Sequence, residues 1–189
     1  MVVSSQDIVN EALQLIGGDG PPVTGVAPNF DSTAAGKAAA KCYTACVAAV
    51  ARQNAWDFAR QNATLTLTAN TAPFPWAKEY IYPSNCIQIW QLCPATLADP
   101  NDPQPVTWAV GNAIVSGVQA RVIWTDLASA HAIFNGNPLE STWDPIFRAT
   151  VVRMLASELA MALAGKPETS QVLLEQAGAF QNIGVERDS

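Results

Sequence analysis

The sequence predicts an α+β fold, a helical bundle of about four helices interrupted by an inserted antiparallel β-sheet. Three observations carry that expectation. Apolar residues recur at helical spacing near both ends of the chain, the period changes to two from Asn62 onward, and glycine, proline and capping residues mark the changes of regime. With 189 residues, the chain fits one domain, or one domain carrying a modest insertion, and can bury a core without disulfides or metals.

The first helix is expected over about 5–16, where Ile8, Ala12, Leu15 and Ile16 share a face and Gly17-Gly18 ends the run. Gly20 to Pro28 reads as a loop. A second helix runs from Asp31 or Ser32, either able to cap it, to about Asn54. Alanine makes that helix thin over most of its circumference, while Lys37, Lys41, Thr44 and Arg52 fall on one stripe facing solvent or a partner. Leu65 and Leu67 then alternate with Thr64, Thr66 and Thr68, as in a half-buried strand. Further strands are expected at 78–82, 87–92, 106–110, 113–116 and 121–125, with Gly111-Asn112 as a hairpin turn because both residues tolerate positive φ. Residues 94–105 hold four prolines with Asp99 and Asp102, which no sheet interior accepts. Asp144-Pro145 caps and opens a third helix that Gly165 stops, and Pro167 opens a fourth reaching roughly Asn182. The resulting regions are 1–61 (helices), 62–125 (sheet) and 126–189 (helices).

Charged residues make up only 14% of the chain, against about a quarter in ordinary domains. Charge is depleted at interface cores, so the composition points to an obligate oligomer. A net charge of −6 without any run of Lys or Arg argues against a nucleic-acid grip, which needs clustered cations. The apolar stretches are alanine-rich and interrupted by Lys or Arg, so no membrane span is expected. Met1 is followed by Ser4, Ser5, Gln6 and Asp7 rather than a basic region and apolar core, which points to synthesis in the cytoplasm with four free thiols.

Catalytic and metal chemistry finds little to build on. His131 is the one histidine, read as a surface or cap residue beside a helix start, with no Cys–His or Ser–His signature around it. Cys42 and Cys46 share a helix face, but Cys86 and Cys93 lie on another element at a spacing untypical of zinc sites. Gly17-Gly18-Asp19-Gly20 lacks the Lys-Ser or Lys-Thr of a phosphate loop. No cofactor is expected. Glu140, Asp144 and Glu158 are the carboxylates that a hydrolytic reading would use. Glu158 also stands among Met154, Leu155, Met161 and Ala162, so if buried it needs a cationic partner, with Arg52 or Arg60 as candidates.

Three segments resemble the tail tubular, or head-to-tail adaptor, family of short-tailed bacteriophages. Tyr43 followed by Trp56-Asp57-Phe58-Ala59-Arg60 and Ala63-Thr64-Leu65 is similar to the family's tyrosine helix ending in a Trp-x-Phe-Ala junction that feeds a strand. Tyr80-Ile81-Tyr82-Pro83-Ser84-Asn85-Cys86-Ile87-Gln88-Ile89 resembles its Tyr-x-Leu-Pro-x-Asp-Cys-Leu-Arg run, and Asp144-Pro145-Ile146-Phe147 leading to Leu155-Ala156-Ser157-Glu158-Leu159-Ala160 resembles its last motif. Asn85, Gln88 and Val47 depart from the family's Asp, Arg and Arg, which marks a distant member. The resemblance implies a non-enzymatic ring subunit, dodecameric, in the neck of the virion after assembly in the host cytoplasm. It would sit beneath the portal, above a nozzle or other distal tail protein, with DNA passing through the lumen. Trp56, Phe58, Tyr80, Pro83 and Phe147 are then expected as fold anchors. Lys37, Lys41, Arg52, Glu158, Asp99 and Asp102 are candidate interface residues. The competing readings are a virion-associated cell-wall hydrolase using paired carboxylates and a scaffold that binds one partner without forming a ring.

Overall fold

The computed structural model describes residues 3–95 and 106–187. The chain divides into two compact units, a helical one (1–58 with 138–189) and a sheet one (59–137). The α+β class with four principal helices is as expected, but the strands form two principal sheets rather than one.

The helical unit is organised around α3 (Pro145–Leu159), against which α1 (Ser5–Leu15), α2 (Ala34–Ala51) and α4 (Pro167–Arg187) all pack. The starts of α1, α2 and α3 each have a chemical cause. Ser4 and Asp7 form a capping box on α1, Thr33 Oγ1 accepts the Gly36 amide at the head of α2, and Asp144 accepts the Ile146 amide at 2.7 Å ahead of Pro145. Asp31, expected as a cap, instead accepts the backbone amides of Thr24 and Thr33 and both their hydroxyls. The Thr33 hydroxyl is the main donor holding its carboxyl down at about 2. Within the segment expected as loop, β1 (Gly25–Val26) and β2 (Asn29–Phe30) form a small hairpin. Asn10 pins the approach to it through both hydrogen bonds to the Val23 backbone.

The helical core runs through Ile8, Val9, Val47, Val50, Val151, Leu155 and Leu159. Trp56, Phe58 and Trp143 surround Phe147, with ring centroids 5.1, 5.0 and 4.9 Å from it. The Trp56 indole N–H donates to the Val50 carbonyl, closing the end of α2. α3 passes into a π-type turn over Ala160–Ala164, and Gly165 ends it at φ +57°. The Ser157 hydroxyl ties α3 to the Ser170 carbonyl of α4, and the Arg153 guanidinium lies over the Phe180 ring.

In the sheet unit, β3 (Arg60–Thr64), β8 (Ala130–Asn135) and β5 (Gln88–Pro94) form one antiparallel sheet in the order β3-β8-β5. β4 (Lys78–Ile81), β7 (Val118–Thr125) and β6 (Trp108–Val115) form the other in the order β4-β7-β6. Leu65, Tyr80, Ile89, Leu92, Ile123, Ala132 and Phe134 belong to one core shared by both sheets. Residues 65–68 switch sheets: the Leu65 amide donates to Ala130 of the first, and the Thr68 amide to Glu79 of the second. The alternation around Leu65 and Leu67 therefore does not define one face. Leu65 is buried, whereas Leu67 is 49% exposed.

Two expectations for the strands are corrected. Gly111-Asn112 is not a turn but the middle of β6, in register with Val122 and Arg121. Glycine is required at 111 because the Trp124 indole lies across it, and a Cβ there would stand 2.1 Å from the ring. The hairpin turn is Ser116-Gly117, with φ +51° and +82°, the positive pair that a tight turn between twisted strands demands. The sheet also extends past residue 125, since β8 places His131 on a strand rather than beside a helix start. His131 Nδ1 lies 3.2 Å from the Thr64 hydroxyl.

Tyr80 and Pro83 both belong to the sheet unit. The buried Tyr80 ring sits in the shared core and its hydroxyl donates to the Leu127 carbonyl. The Pro83 carbonyl accepts the Cys86 amide in the turn between β4 and β5.

Candidate functional site

The feature of the helical unit most suited to an interaction is a groove between α2 and the end of α3. Alanine at 34 and 38 keeps that stretch of α2 narrow, and Lys37 and Lys41 rise from it one helical turn apart, both exposed. Opposite them the π-type turn brings Ala162 and Leu163, with Glu158 one turn earlier. The groove encloses about 380 Å³ and includes Cys42. Ala34 and Leu163 also line a second cleft, of about 550 Å³, whose walls include Leu13, Ile16, Pro21 and Pro22 and whose rim carries Lys166. The chain has only four lysines, so three of them line these two adjoining depressions.

The three lysines are exposed. Among the described residues, none of the three forms an ion pair; the ion pair seen is that of Arg148 with Glu11, 2.5 Å apart between α3 and α1. Several acids of the helical unit are engaged in the fold. Asp7 and Asp144 cap helices, Asp31 holds the loop before α2, and Glu140 accepts the Tyr43 hydroxyl at 3.1 Å. Burial first, then the Glu140 carboxylate, raises the Tyr43 phenol above its ordinary range. Glu158 is the one acid among the groove's lining residues.

Cys42 and Cys46 lie one turn apart on α2. A hydrogen bond from the Cys46 thiol lowers the Cys42 pKa, against burial and the Glu158 charge, while the same bond and burial raise that of Cys46. Among the described residues, no group of three or more His, Cys, Asp or Glu side chains is placed to hold a metal ion. Again among the described residues, no helix is long and apolar enough to cross a membrane.

The residues singled out from the sequence thus divide. Trp56, Phe58 and Phe147 converge in the helical core, while Tyr80 and Pro83 serve the sheet unit. Lys37, Lys41 and Glu158 meet at the groove, whereas Arg52 is the exposed C-cap of α2 and is not among the groove's lining residues. Glu158 is exposed, so the buried carboxylate seeking Arg52 or Arg60 is not found; the thin alanine face of α2 leaves it open to solvent. Asp99 and Asp102 lie outside the described residues. Of the three carboxylates a hydrolytic reading would use, Glu140 bonds Tyr43, Asp144 caps α3 and Glu158 faces the groove.

Two features escaped the sequence reading. Lys166 stands 125 positions from Lys41, and nothing in its surroundings links it to α2. Glu79, only 3% exposed, accepts hydrogen bonds from Thr68 Oγ1, Asn70 Nδ2 and Trp124 Nε1 at 2.9, 2.8 and 2.9 Å. The signal for that network is the β4–β7 register, which sets Glu79 opposite Trp124 and cannot be read without pairing the strands. In comparisons with known proteins, no family model matches this chain and no curated protein matches it.

Proposed function

We propose that the chain is a non-enzymatic structural subunit of a bacteriophage neck, a head-to-tail adaptor that forms a ring beneath the portal. The ring extends the DNA channel and offers a platform to a nozzle or other distal tail protein. DNA passes through the lumen without sequence-specific contacts, as suits a chain of net charge −6.

The observation that carries the reading is the ordered set of three motifs and the elements on which they lie. The Trp56-Asp57-Phe58 motif occupies the junction between α2 and β3. The run from Tyr80 to Ile89 spans β4, a turn and β5, and Asp144-Pro145-Ile146-Phe147 opens the central helix α3. The surface supports it as well. Met161, Val172, Leu174 and Ile183 are each about half exposed, at 52, 51, 52 and 49%, so apolar side chains face outward from the end of α3 and along α4. Exposed apolar surface of this kind, with few charges among it, suits a subunit covered by neighbours.

The reading is tested by mixing the purified chain with portal rings of the phage that encodes it and weighing the particles by mass photometry. The portal peak is expected to gain the mass of a complete ring of this chain. A portal peak unchanged at saturating chain overturns the adaptor reading.

A further inference from the structure

We propose that the lysine-rimmed groove and cleft of the helical unit dock an extended acidic peptide segment of a partner protein, one carrying carboxylates at alternate positions with apolar side chains between. The inference stands on this surface alone and survives if the neck location fails.

Charge complementarity is the first argument. Lys37, Lys41 and Lys166 make up most of the lysines of an otherwise acidic chain, and among the described residues they have no ionic partner. Asp7, Asp31, Glu140 and Asp144 of the helical unit serve as caps or hydrogen-bond acceptors, and Glu158, the one acid lining the groove, forms no ion pair with either lysine. An outside carboxylate therefore meets lysines that lose no existing ion pair on binding.

Spacing is the second. Lys37 and Lys41 are separated by four residues of helix, a rise of about 6 Å at 1.5 Å per residue. In an extended peptide, side chains two apart point the same way and lie about 7 Å apart. A Glu-x-Glu segment thus presents its carboxylates at the lysine spacing.

The lining decides between anions. Leu13, Ile16, Pro21, Pro22 and Leu163 give the joined depressions apolar walls that suit side chains between the carboxylates. A nucleic-acid backbone matches less well. It carries charge at every step and would pass Glu158, whereas a peptide can set an apolar residue there. The lining contains no arginine, the residue whose planar fork favours phosphate.

The test uses the full chain and a fluorescein-labelled synthetic peptide of alternating Glu and Leu, followed by fluorescence anisotropy. Saturable binding is expected. It should weaken at least about tenfold, or about 1.4 kcal/mol, in the double variant Lys37→Glu with Lys41→Glu. It should also weaken in Lys166→Glu, and Lys78→Ala in the sheet unit should leave it unchanged. Raising ionic strength from about 0.01 M to about 1 M, which shortens the Debye length from about 30 to about 3 Å, should release the peptide. Far-UV circular dichroism checks that each variant is folded. Alkylation of the half-buried Cys42 provides an independent readout: bound peptide should slow it and leave that of Cys86 unaffected.

Several results overturn the proposal. These are no saturable binding of the Glu-Leu peptide, equal binding of its Lys-Leu counterpart or of a single-stranded oligonucleotide, full affinity in both folded charge-reversal variants, or unchanged Cys42 alkylation at saturation. Dissociation of a self-associated form of the chain by the peptide, followed by sedimentation velocity, would assign the surface to a second copy instead, and likewise overturns the partner-segment version.

Discussion

Phe147→Ala is expected to destabilise the helical unit by about 3–5 kcal/mol. Its side chain is fully buried, and three aromatic rings stand about 5 Å from its own. Truncation removes its transfer free energy and leaves a cavity among rings that cannot collapse together without losing their edge-to-face packing. Thermal denaturation should show the midpoint falling by roughly 10 °C. Near-ultraviolet circular dichroism should lose the signal of Trp56 and Trp143, which the ring now orients. Phe147→Leu keeps much of the volume and should cost less than half as much. Equal melting of Phe147→Ala and the parent chain would contradict the role of this cluster as the anchor of the helical core.

The second large effect is expected at Glu79. Its carboxylate is buried and satisfied by three neutral donors rather than by a cation. Glu79→Ala would leave the Trp124 indole, the Thr68 hydroxyl and one bond of the Asn70 amide without an acceptor. Thr68 is buried and Trp124 half-buried, while Asn70 is exposed; an unsatisfied buried group costs about 1–3 kcal/mol, so a loss of about 2 kcal/mol or more is predicted. Glu79→Gln should cost less, because it restores one acceptor while setting an amide NH₂ against a donor. Burial alone would raise the Glu79 pKa, but the bonds from Trp124, Asn70 and Thr68 outweigh it, so the folded value lies below the ordinary 4.5. The stabilisation is therefore fully present above about 4.5 and is lost as pH falls through the lower folded value. Melting curves from neutral to strongly acidic pH should show the parent losing stability over that acid window, with the loss reduced in Glu79→Gln. An identical acid profile in parent and variant would contradict this assignment.

The contrast between these two sites shows what the sequence makes legible. Helices announce themselves locally: Ser4 with Asp7, Asp144 with Pro145 and the left-handed Gly165 are within a few residues of the ends they define. Phe147 is singled out by the resemblance of Asp144-Pro145-Ile146-Phe147, a motif that opens such a helix. β8 carries no comparable signal. Five of its six residues are buried, as befits the central strand of β3-β8-β5, so polar and apolar residues do not alternate along it. Gly111-Asn112 and Ser116-Gly117 are both chemically suited to a turn, and what separates them is the Trp124 ring across the sheet. The candidate site was half legible for the same reason. Lys37 and Lys41 share a stripe that helical spacing reveals, whereas Lys166 joins them only through the packing of α3 and the loop after α1 against α2. Glu158 has apolar helical neighbours and is nevertheless exposed, because the alanines facing it on α2 leave open space.

The adaptor assignment is the central claim, and cryo-electron microscopy of virions from the source phage tests it most directly. The account predicts a symmetric ring of this chain between the portal and the distal tail, surrounding the DNA channel, with neighbouring subunits over Met161, Val172, Leu174 and Ile183. A neck reconstructed at side-chain detail in which every density belongs to other proteins would contradict it.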